Sequence, residues 1–381
     1  MRLQRLQLTD YRNYHELDLA PSEGLNVLIG PNGQGKSNVL EAIYLLATTR
    51  SLRAHRDCEL VRFKTDLARV IARISREVRS DVMVEIDVTA SHKTGKVNGV
   101  RHARLVDLLG EFNAVQFTPT DVELISGPPS TRRSFLNLQI AQSSGSYAYS
   151  LIYYKRVLDQ RNRLLKDSAR TGGMSAAARQ TLDTLTEQLI SYGSQILERR
   201  GQFVDSLARY GNQIHRELAG AGAVLEVIYR PGWSESTPPA LPADWREQGL
   251  PPADAFRLAL EAVRSHELRR GTTLAGPHRD DLQFLLDEMD VRVYGSRGEQ
   301  RTVALAMKLA EFLLLRELAG EPPVMLLDDA LSELDDERSL RVIHTSVGPC
   351  QTFMTGASAR AFPPEILAGA RVFELKAGRM V

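Results

Sequence analysis

The stretch that decides the fold is Gly30-Pro31-Asn32-Gly33-Gln34-Gly35-Lys36-Ser37. It matches the phosphate-binding pattern G-x-x-x-x-G-K-[ST] at every fixed position. An apolar run over residues 25–29 precedes it, and residues 38–47 carry apolar side chains at helical spacing. Because strand, loop and helix form the context that this motif requires, the sequence predicts a site for a nucleoside triphosphate.

The residue types of this loop suit phosphate chemistry. Glycines let the backbone wrap closely around a phosphate and aim N–H groups at it, and the following helix adds its positive dipole end. Lys36 would reach the β- and γ-phosphates, and the Ser37 hydroxyl would hold Mg²⁺. The alternative, a chance glycine-rich turn, is disfavoured by the flanking strand and helix. The predicted nucleotide-binding residues are Gly30, Pro31, Asn32, Gly33, Gln34, Gly35, Lys36 and Ser37.

The composition indicates a globular chain of 381 residues, 43% hydrophobic and 25% charged, which is long enough for two or three folding units. No run of 18 apolar residues occurs, and residues 1–5 lack the apolar core of a signal peptide, so we expect a cytoplasmic protein with no membrane partner. The cysteines, Cys58 and Cys350, are far apart and form no C-x-x-C pair. We therefore expect two buried thiols rather than a disulfide framework or a zinc site.

Positive charge is concentrated in one segment, although the net charge is only +1. Residues 128–216 carry 13 basic and 6 acidic side chains, so any nucleic-acid surface should involve them. Within this segment, Arg132 and Arg133 occupy the first turn of a predicted helix and oppose its dipole, which leaves an anionic partner and a solvated face as alternatives. Arginine supplies 40 of the 48 basic residues. This excess suits bidentate phosphate contacts, but a genome-composition bias would produce it equally well.

The middle of the chain is predicted to be mainly helical. Two long helices are expected over residues 147–169 and 175–218, separated by a glycine turn. Tyrosines in the first helix lie near arginines, a mixture that suits DNA, although packing between the helices explains them equally well. A proline-rich stretch, residues 231–252, is predicted to be a long surface loop that is either mobile or a partner site.

Two further positions have alternative interpretations. Arg12 could lie near the nucleotide, but a solvated surface arginine is favoured. His278, Asp280 and Asp281 could form a metal site, but adjacent carboxylates after a Gly-Pro turn more often cap a helix or pair with arginine.

The C-terminal part completes the pattern of a P-loop ATPase. An apolar run, residues 323–327, ends in Asp328 and Asp329, as expected of the strand that supplies the metal-side carboxylates. Ser332-Glu333-Leu334-Asp335 closes the following loop before another helix. Upstream, Ser296-Arg297-Gly298-Glu299-Gln300 opens a strong amphipathic helix over residues 301–319.

Together these motifs resemble those of ATP-binding-cassette (ABC) ATPases, in the branch that contains the structural-maintenance-of-chromosomes (SMC) proteins. More narrowly, they resemble the RecF family of bacterial DNA replication and repair proteins. The resembling blocks run in order from Tyr11 to Asp335: YRNY, GPNGQGKSNVLEAIYLL, QFTPTDVELISGPPSTRRSFLN, AGPHRDDL, SRGEQRTVALAMKLAE and LLDDALSELD.

The resemblance implies an α/β fold. We expect an ABC-type P-loop ATPase head, with a mixed sheet, helices and an antiparallel β subdomain, interrupted by a mainly helical lobe. The expected head comprises residues 1–140 and 266–381, and the helical insertion comprises residues 141–265.

The resemblance also implies roles for individual residues. Lys36 and the loop amides would bind the phosphates of ATP. The catalytic residues would be Asp329, which polarises the attacking water, with Lys36 and Gln116; the Mg²⁺ ligands would be Ser37, Asp328 and the Q-loop residue Gln116. Ser296 and Gly298 would contact the γ-phosphate of ATP bound to a second copy of the chain, so that ATP joins a head-to-tail homodimer.

The implied function is ATP-dependent binding of single-stranded and duplex DNA at gaps and junctions. The protein would help RecO and RecR to load a recombinase and would support the SOS response. Asp329 stands where many ABC ATPases have the longer Glu, which suggests slow, DNA-dependent hydrolysis that acts as a switch. Thr355-Gly356-Ala357-Ser358 lacks the switch histidine of transporters, so only Thr355 is predicted to act there.

Three alternatives share the nucleotide site. An ABC-transporter ATPase would dock on membrane helices, and the basic helical insertion argues against it. A chromosome-tethering ATPase would need hundreds of coiled-coil residues between the cassette halves, whereas about 130 residues without sustained heptads are available here. A small-molecule kinase would need no signature motif from a second subunit, so ATP-induced dimerisation would separate it from the favoured interpretation.

Overall fold

The computed structural model describes residues 1–77, 81–220, 222–233, 245–246, 248–329, 350–376 and 378–380. The chain divides into two compact units. The first unit consists of Met1–Asp121 and Leu305–Val381, and the second of Val122–Ala304. No helix within the described ranges combines the length and the apolarity that a bilayer crossing requires.

The strand and helix that flank the phosphate loop and the two long helices of the middle of the chain form where the sequence predicts them, with shifts of a few residues at their ends. The described strands are β1 (Arg2–Tyr11), β2 (Tyr14–Leu19), β3 (Leu25–Ile29), β4 (Leu67–Ser75), β5 (Val82–Thr89), β6 (Lys93–Val97), β7 (Val100–Arg101), β8 (Ala114–Phe117), β9 (Leu225–Arg230), β10 (Asp281–Leu286), β11 (Met289–Asp290), β12 (Val324–Leu327), β13 (Thr352–Gly356), β14 (Ala370–Lys376) and β15 (Arg379–Met380). The helices are α1 (Lys36–Thr48), α2 (Glu123–Ser126), α3 (Pro129–Ser143), α4 (Gly145–Thr171), α5 (Ala176–Ala219), α6 (Pro252–Arg270), α7 (Val291–Tyr294) and α8 (Arg297–Ala319), with a further short helix at Pro364–Ala368.

The first unit contains two six-stranded sheets. One is antiparallel, in the order β2-β1-β4-β5-β6-β7, and its strand β5 buries alternate residues because successive side chains of a strand point to opposite faces. The other, in the order β15-β14-β3-β13-β12-β8, is parallel except for the β14–β15 pair. Buried residues of α1, including Val39 and Ile43, join one apolar core with Ile86 of the antiparallel sheet and Phe353 of the parallel sheet.

The parallel sheet decides where a ligand site can form. Strand β13 lies between β3 and β12, so the segments that follow these three strands meet at one edge of the sheet. Ligands of open α/β sheets bind at this carboxyl edge. The sequence places the phosphate loop directly after β3 and the pair Asp328-Asp329 directly after β12.

The second unit is mainly helical, with the three-stranded sheet β11-β10-β9. Helix α4 has 27 residues and α5 has 44, which correspond to about 40 and 66 Å at about 1.5 Å per residue. The Tyr153 ring stacks on Tyr192 of α5 with 5.4 Å between ring centroids, and Ser150 Oγ donates to Gln195 Oε1 at 2.8 Å. Packing between helices therefore explains these contacts of α4.

A buried polar network lies inside this unit. The Arg200 side chain, 2% exposed, donates to Asp280 at 2.5 Å, to the Pro277 carbonyl at 2.6 Å and to Asn137 Oδ1 at 2.8 Å. Asp280 is fully buried and also accepts from the Tyr229 hydroxyl. Because a buried charge needs a paired, hydrogen-bonded partner, each of the two charged groups depends on the other.

The stretch around residue 280 is not arranged as a metal site. Asp281 forms an ion pair with Arg132, and the His278 ring contacts the Tyr154 hydroxyl at 2.8 Å. Burial lowers the pKa of His278 to about 4, so its ring is neutral at physiological pH. The favoured interpretation, pairing with arginine, is confirmed, and the described part of the chain contains no cluster of three or more His, Cys, Asp or Glu side chains that could hold a metal.

Arg132 and Arg133, for which an anionic partner and a solvated face were the alternatives, both bind groups of the same chain. The anionic partner of Arg132 is Asp281 of the same chain, and the guanidinium also donates to the Gly127 carbonyl at 2.8 Å. Arg133 donates to the Asp280 carbonyl at 2.9 Å, and burial lowers its pKa. Neither arginine is simply a member of a solvated face.

The boundaries between the two units differ from the predicted ones. The predicted head includes residues up to 140 and from 266, whereas the structure assigns Val122–Ala304 to the second unit. The physical reason is that β9 pairs with β10 and Arg132 of α3 pairs with Asp281, so both flanking segments pack within this unit. The predicted signature residues Ser296 and Gly298 consequently belong to the second unit.

The two cysteines differ in exposure. Cys350 is buried, and burial raises the pKa of its thiol to about 11. Cys58 is partly exposed in a short 3₁₀ helix, Asp57–Leu60. The expectation of two buried thiols therefore holds for Cys350 alone.

Candidate nucleotide-binding site

The phosphate loop has the backbone that its glycines permit. Gly35 has φ = 104°, in the left-handed region that other residues rarely adopt. A Cβ atom at Gly35 would lie 2.6 Å from Asn13 Nδ2 and 2.7 Å from the Tyr14 hydroxyl oxygen. Helix α1 begins one residue later, so the loop leads directly into a helix N-terminus.

The segment between β1 and β2 holds the loop from one side. Asn13 Nδ2 donates to the Gln34 carbonyl at 3.1 Å, and the Tyr14 hydroxyl donates to the Gly35 carbonyl at 3.0 Å. Asn38 Nδ2 in turn donates to Asn13 Oδ1 at 2.8 Å. These hydrogen bonds hold the Gln34 and Gly35 carbonyls against Asn13 and Tyr14. The sequence did not predict them, since within this segment it singled out Arg12 alone.

Arg12 is not a solvated surface residue, so the favoured interpretation of it is wrong. Its guanidinium makes a bidentate ion pair with Glu41 of α1, at 2.8 Å from Nε and 2.6 Å from Nη2. A third hydrogen bond runs from Nη1 to the Glu59 carbonyl at 2.9 Å. The Glu41 side chain is only 2% exposed, so this pair anchors the first turns of α1 beneath the loop.

Lys36 lies within the loop that it is predicted to serve. Its side chain is buried, and Nζ donates to the Gly30 carbonyl at 2.6 Å and to the Pro31 carbonyl at 3.0 Å. The ammonium group is therefore held at the mouth of the loop, where it can exchange a carbonyl for a phosphate oxygen.

The predicted metal residues Ser37 and Asp328 are brought together although 291 positions separate them. The Ser37 hydroxyl donates to Asp328 Oδ1 at 2.7 Å, and the Thr355 hydroxyl donates to the same oxygen at 3.0 Å. Hydroxyl and carboxylate oxygens are ligands that Mg²⁺ prefers, usually completed by phosphate oxygens and water. The residues present therefore fit a magnesium ion.

Asp329 lies beside this pair in a constrained backbone. Its φ is 49°, and its amide N–H donates to the Thr355 hydroxyl oxygen at 2.9 Å. Burial raises the pKa of the Asp329 carboxyl, and the neighbouring Asp328 charge adds to the effect, while Lys36 opposes it. A carboxylate with a raised pKa accepts a proton more readily, which suits a group that polarises water.

Gln116 lies within β8, where it is 2% exposed and pairs in register with Leu326 of β12. Within the described ranges no hydrogen bond joins its side chain to Ser37 or Asp328. Its roles as a metal ligand and catalytic residue stay predictions. The predicted loop Ser332-Glu333-Leu334-Asp335 and most of the proline-rich stretch lie outside the described residues.

Ser296 and Gly298 lie at the start of α8 and are exposed. Ser296 N donates to Glu299 Oε2 at 2.7 Å, and Glu299 N donates to Ser296 Oγ at 3.3 Å. This reciprocal pair caps the helix, and its hydrogen bonds lower the pKa of Glu299. An exposed, capped helix N-terminus can face an anion, because unpaired N–H groups and the dipole point outward.

The parallel sheet, the phosphate loop after β3 and the acidic pair after β12 define a P-loop ATPase fold of the ABC type. The model of the family described as RecF/RecN/SMC N terminal domain matches residues 2–362. The chain belongs to this family, and full-length relatives at 37–39% identity place it among the RecF proteins of DNA replication and repair. The predicted family and the predicted fold class are both confirmed.

Full-length relatives support the assignment. The chain is 39% identical over 378 residues to the DNA replication and repair protein RecF of Oceanobacillus iheyensis, with 99% of each covered. It is 38% identical to RecF of Bacillus cytotoxicus, covering 99% of this chain and 98% of the relative. RecF of Latilactobacillus sakei is 37% identical, with 100% of this chain and 99% of the relative covered.

Solved structures agree with these relatives. The recombination mediator protein RecF-ATP of the RecFOR pathway superposes with a TM-score of 0.88 at 31% identity, covering 100% of this chain and 97% of the other. The corresponding RecF-ATPrS structure gives a TM-score of 0.86, also at 31% identity, with 99% and 97% covered. The Smc head domain from Pyrococcus furiosus shares the fold at 18% identity and a TM-score of 0.54, covering 100% of this chain and 95% of the other.

Proposed function

We propose that the protein binds ATP and Mg²⁺ in its first unit and uses the bound nucleotide as a switch for binding DNA. The observation that carries the proposal is the 2.7 Å hydrogen bond from the Ser37 hydroxyl to the Asp328 carboxylate, beside the phosphate loop. This contact joins hydroxyl and carboxylate oxygens from distant parts of the chain. It supports the proposal because such oxygens are the protein ligands of magnesium in P-loop ATPases.

Each side chain of the site has a proposed role. The loop amides of residues 30–37 and the Lys36 ammonium group bind the β- and γ-phosphates, and Ser37 and Asp328 hold Mg²⁺, which would neutralise charge on the phosphates. Asp329 orients and polarises the attacking water. Gln116 would contact the metal and couple the nucleotide state to the rest of the chain. Because Asp329 has a shorter reach than Glu, hydrolysis should be slow and should reset a switch rather than drive a motor.

ATP is proposed to join two copies head to tail. Ser296 and Gly298, exposed at the capped start of α8, would contact the γ-phosphate held by the other copy. Charge-assisted hydrogen bonds from two copies to one triphosphate make each composite site complete only in the dimer. Hydrolysis removes these bonds and would release the pair.

The DNA-related function is supported by the relatives and by charge. Two similar solved structures are recombination mediators of the RecFOR pathway, so we propose that the dimer binds single-stranded and duplex DNA at gaps and junctions in the bacterial cytoplasm. It would act with RecO and RecR in loading a recombinase and in supporting the SOS response. The excess of basic residues over residues 128–216 supports binding through the phosphate backbone, which implies a steep salt dependence.

The test is a set of sizing experiments with ATP and with ADP. Wild type should dimerise with ATP only. Lys36→Met should lose binding of a fluorescent ATP analogue and stay monomeric, whereas Ser296→Arg should bind the analogue and stay monomeric. A matched control, Ser265→Arg on exposed α6, should behave as wild type. Dimerisation of Ser296→Arg with ATP would contradict the proposed contact from the second copy.

A further inference from the structure

A cleft of about 340 Å³ opens on the second unit and is lined by residues of that unit. It is formed by the adjoining ends of β9 and β10, the start of α3 and the start of α7. Four arginines line it, at positions 132, 230, 279 and 292, together with the two carboxylates Asp281 and Asp290. The lining therefore carries a formal excess of two positive charges.

Both carboxylates are already engaged. Asp281 accepts two hydrogen bonds from the buried Arg132, from Nε at 2.5 Å and from Nη2 at 3.0 Å. Asp290 accepts from the Arg292 backbone N–H at 2.9 Å and from Gln283 Nε2 at 3.2 Å. The ion pair with Asp281 neutralises Arg132, whereas Asp290 is bonded, among the described residues, only to uncharged donors, so the three other guanidinium groups and the Asp290 carboxylate leave the cleft with a formal charge of +2.

Those three arginines have no carboxylate partner among the described residues. Arg230 donates twice to the uncharged Gln283 Oε1, at 3.0 Å and 2.7 Å. Arg279 is exposed and donates through Nε to the Thr273 carbonyl at 3.1 Å, which leaves its two terminal amino groups for other acceptors. The Arg292 side chain is exposed at the rim.

Arg230 lies in a paired strand, and Arg279 ends a short 3₁₀ turn, Pro277–Arg279. In the β9–β10 ladder, Arg230 pairs with Asp281 and Ile228 pairs with Gln283, so the partners of Arg230 and Arg132 sit on one rigid ribbon. Gly232 lies directly against the Arg279 backbone, because a Cβ atom there would be 2.9 Å from the Arg279 carbonyl carbon. Guanidinium groups fixed in this way lose little conformational entropy when they bind a ligand.

We propose that this cleft binds a phosphodiester group of the DNA backbone, an inference that rests on the DNA-binding function proposed above. The planar donors of Arg230 and Arg279 match the geometry of phosphate oxygens. Among the described lining residues the one aromatic side chain is Phe284, which is only 3% exposed, so the cleft offers no open ring on which a nucleotide base could stack. The contact fixes the position of the DNA without reading its sequence.

The test compares two double variants that remove the same charge from the same unit. The cleft variant is Arg230→Gln with Arg279→Gln. The control is Arg269→Gln with Arg270→Gln, two exposed arginines at the end of α6 that lie outside the basic segment 128–216 and have no carboxylate partner among the described residues. Fluorescence anisotropy measures the affinity for a labelled junction of duplex and single-stranded DNA, with ATP, over a series of salt concentrations.

The cleft variant should bind at least about tenfold more weakly at 0.1 M salt, and the slope of log K against log salt should become shallower by about 1, since one lost phosphate contact contributes about 0.9. The control should change both values by less than half as much. Equal losses in both variants, or an unchanged cleft variant, would overturn the inference. A flat salt response of wild type would instead overturn the DNA function itself, so the two failures are distinct. Sizing with ATP and thermal unfolding confirm that each variant is folded and dimerises.

Discussion

Replacing Arg200 by Met would test how strongly the second unit depends on its buried ion pair. Methionine resembles the aliphatic stem of arginine but removes the hydrogen bonds to Asp280, to the Pro277 carbonyl, to Asn137 and to the Tyr147 hydroxyl oxygen. Burial opposes a charge on Arg200, but the groups around it raise its pKa above the ordinary value. The native guanidinium is therefore charged at every physiological pH.

The expected loss of unfolding free energy depends on how Asp280 is left after Arg200 is removed. Asp280 is fully buried, and among the described residues its carboxylate would keep two donors, the Tyr229 hydroxyl and the Gly232 N–H. Removing one member of a buried pair costs about 3–5 kcal/mol, because an uncompensated charge stays behind. For a unit of this size, about 2–4 °C of melting temperature is lost per kcal/mol, so we expect a decrease of about 6–20 °C.

Urea and thermal unfolding would be followed by circular dichroism in Arg200→Met, Asp280→Asn and the double variant. The double variant should lose less stability than the sum of the single variants, since it leaves no buried charge without a partner. The control is Arg246→Met, which removes an arginine from an exposed pair with Asp205 and should cost less than about 1 kcal/mol. A loss below about 1 kcal/mol for Arg200→Met would refute the reasoning.

Three further predictions concern the first unit. Gly35→Ala should weaken binding of a fluorescent ATP analogue at least about tenfold because its Cβ would meet the loop support, whereas Gly33→Ala, with open space around it, should lose less; equal losses would contradict this. Thr355→Val should raise the Mg²⁺ concentration needed for half-maximal nucleotide binding, because the hydroxyl that orients Asp328 is lost, and Thr355→Ser should restore it. Burial raises the pKa of Glu311 to about 7 despite a neighbouring ammonium group. Between about pH 4.5 and 7 the folded state therefore keeps a proton on Glu311 that the unfolded chain has released, so the free energy of unfolding should fall as pH rises through this range. Glu311→Gln should reduce this pH-dependent loss by about 1–3 kcal/mol, measured by urea unfolding.

The parts of the site that could be predicted are those whose functional residues lie next to one another in the sequence. The phosphate loop lies between a strand and a helix that are each evident from local periodicity, and the Asp328-Asp329 pair ends an apolar run. Both are local patterns, so they can be recognised in one sequence without an alignment. Their meeting at one sheet edge depends on strand order, which the sequence indicates only through the resemblance to a known fold.

The parts that were missed depend on partners far along the chain. The Arg12–Glu41 pair spans 29 positions and the Arg132–Asp281 pair spans 149, so neither has a local pattern. One signal was available: Glu41 interrupts the apolar face of α1, and a carboxylate on a buried helix face implies a cation nearby. The boundaries of the second unit were missed for the same reason, since they depend on pairing of β9 with β10.

Because the two thiols differ in exposure, the wild-type chain offers one site for selective labelling with a spectroscopic probe. A maleimide dye added near neutral pH should attach to Cys58, because the Cys350 sulfur is enclosed and stays protonated. Cys58 precedes Glu59 and Leu60, whose carbonyls accept from Arg12 at 2.9 Å, and Asn13 beside that arginine contacts the phosphate loop. A fluorophore at Cys58 would be linked to the phosphate loop through these contacts. Its emission intensity is therefore expected to change when a nucleotide binds, and no engineered cysteine is needed.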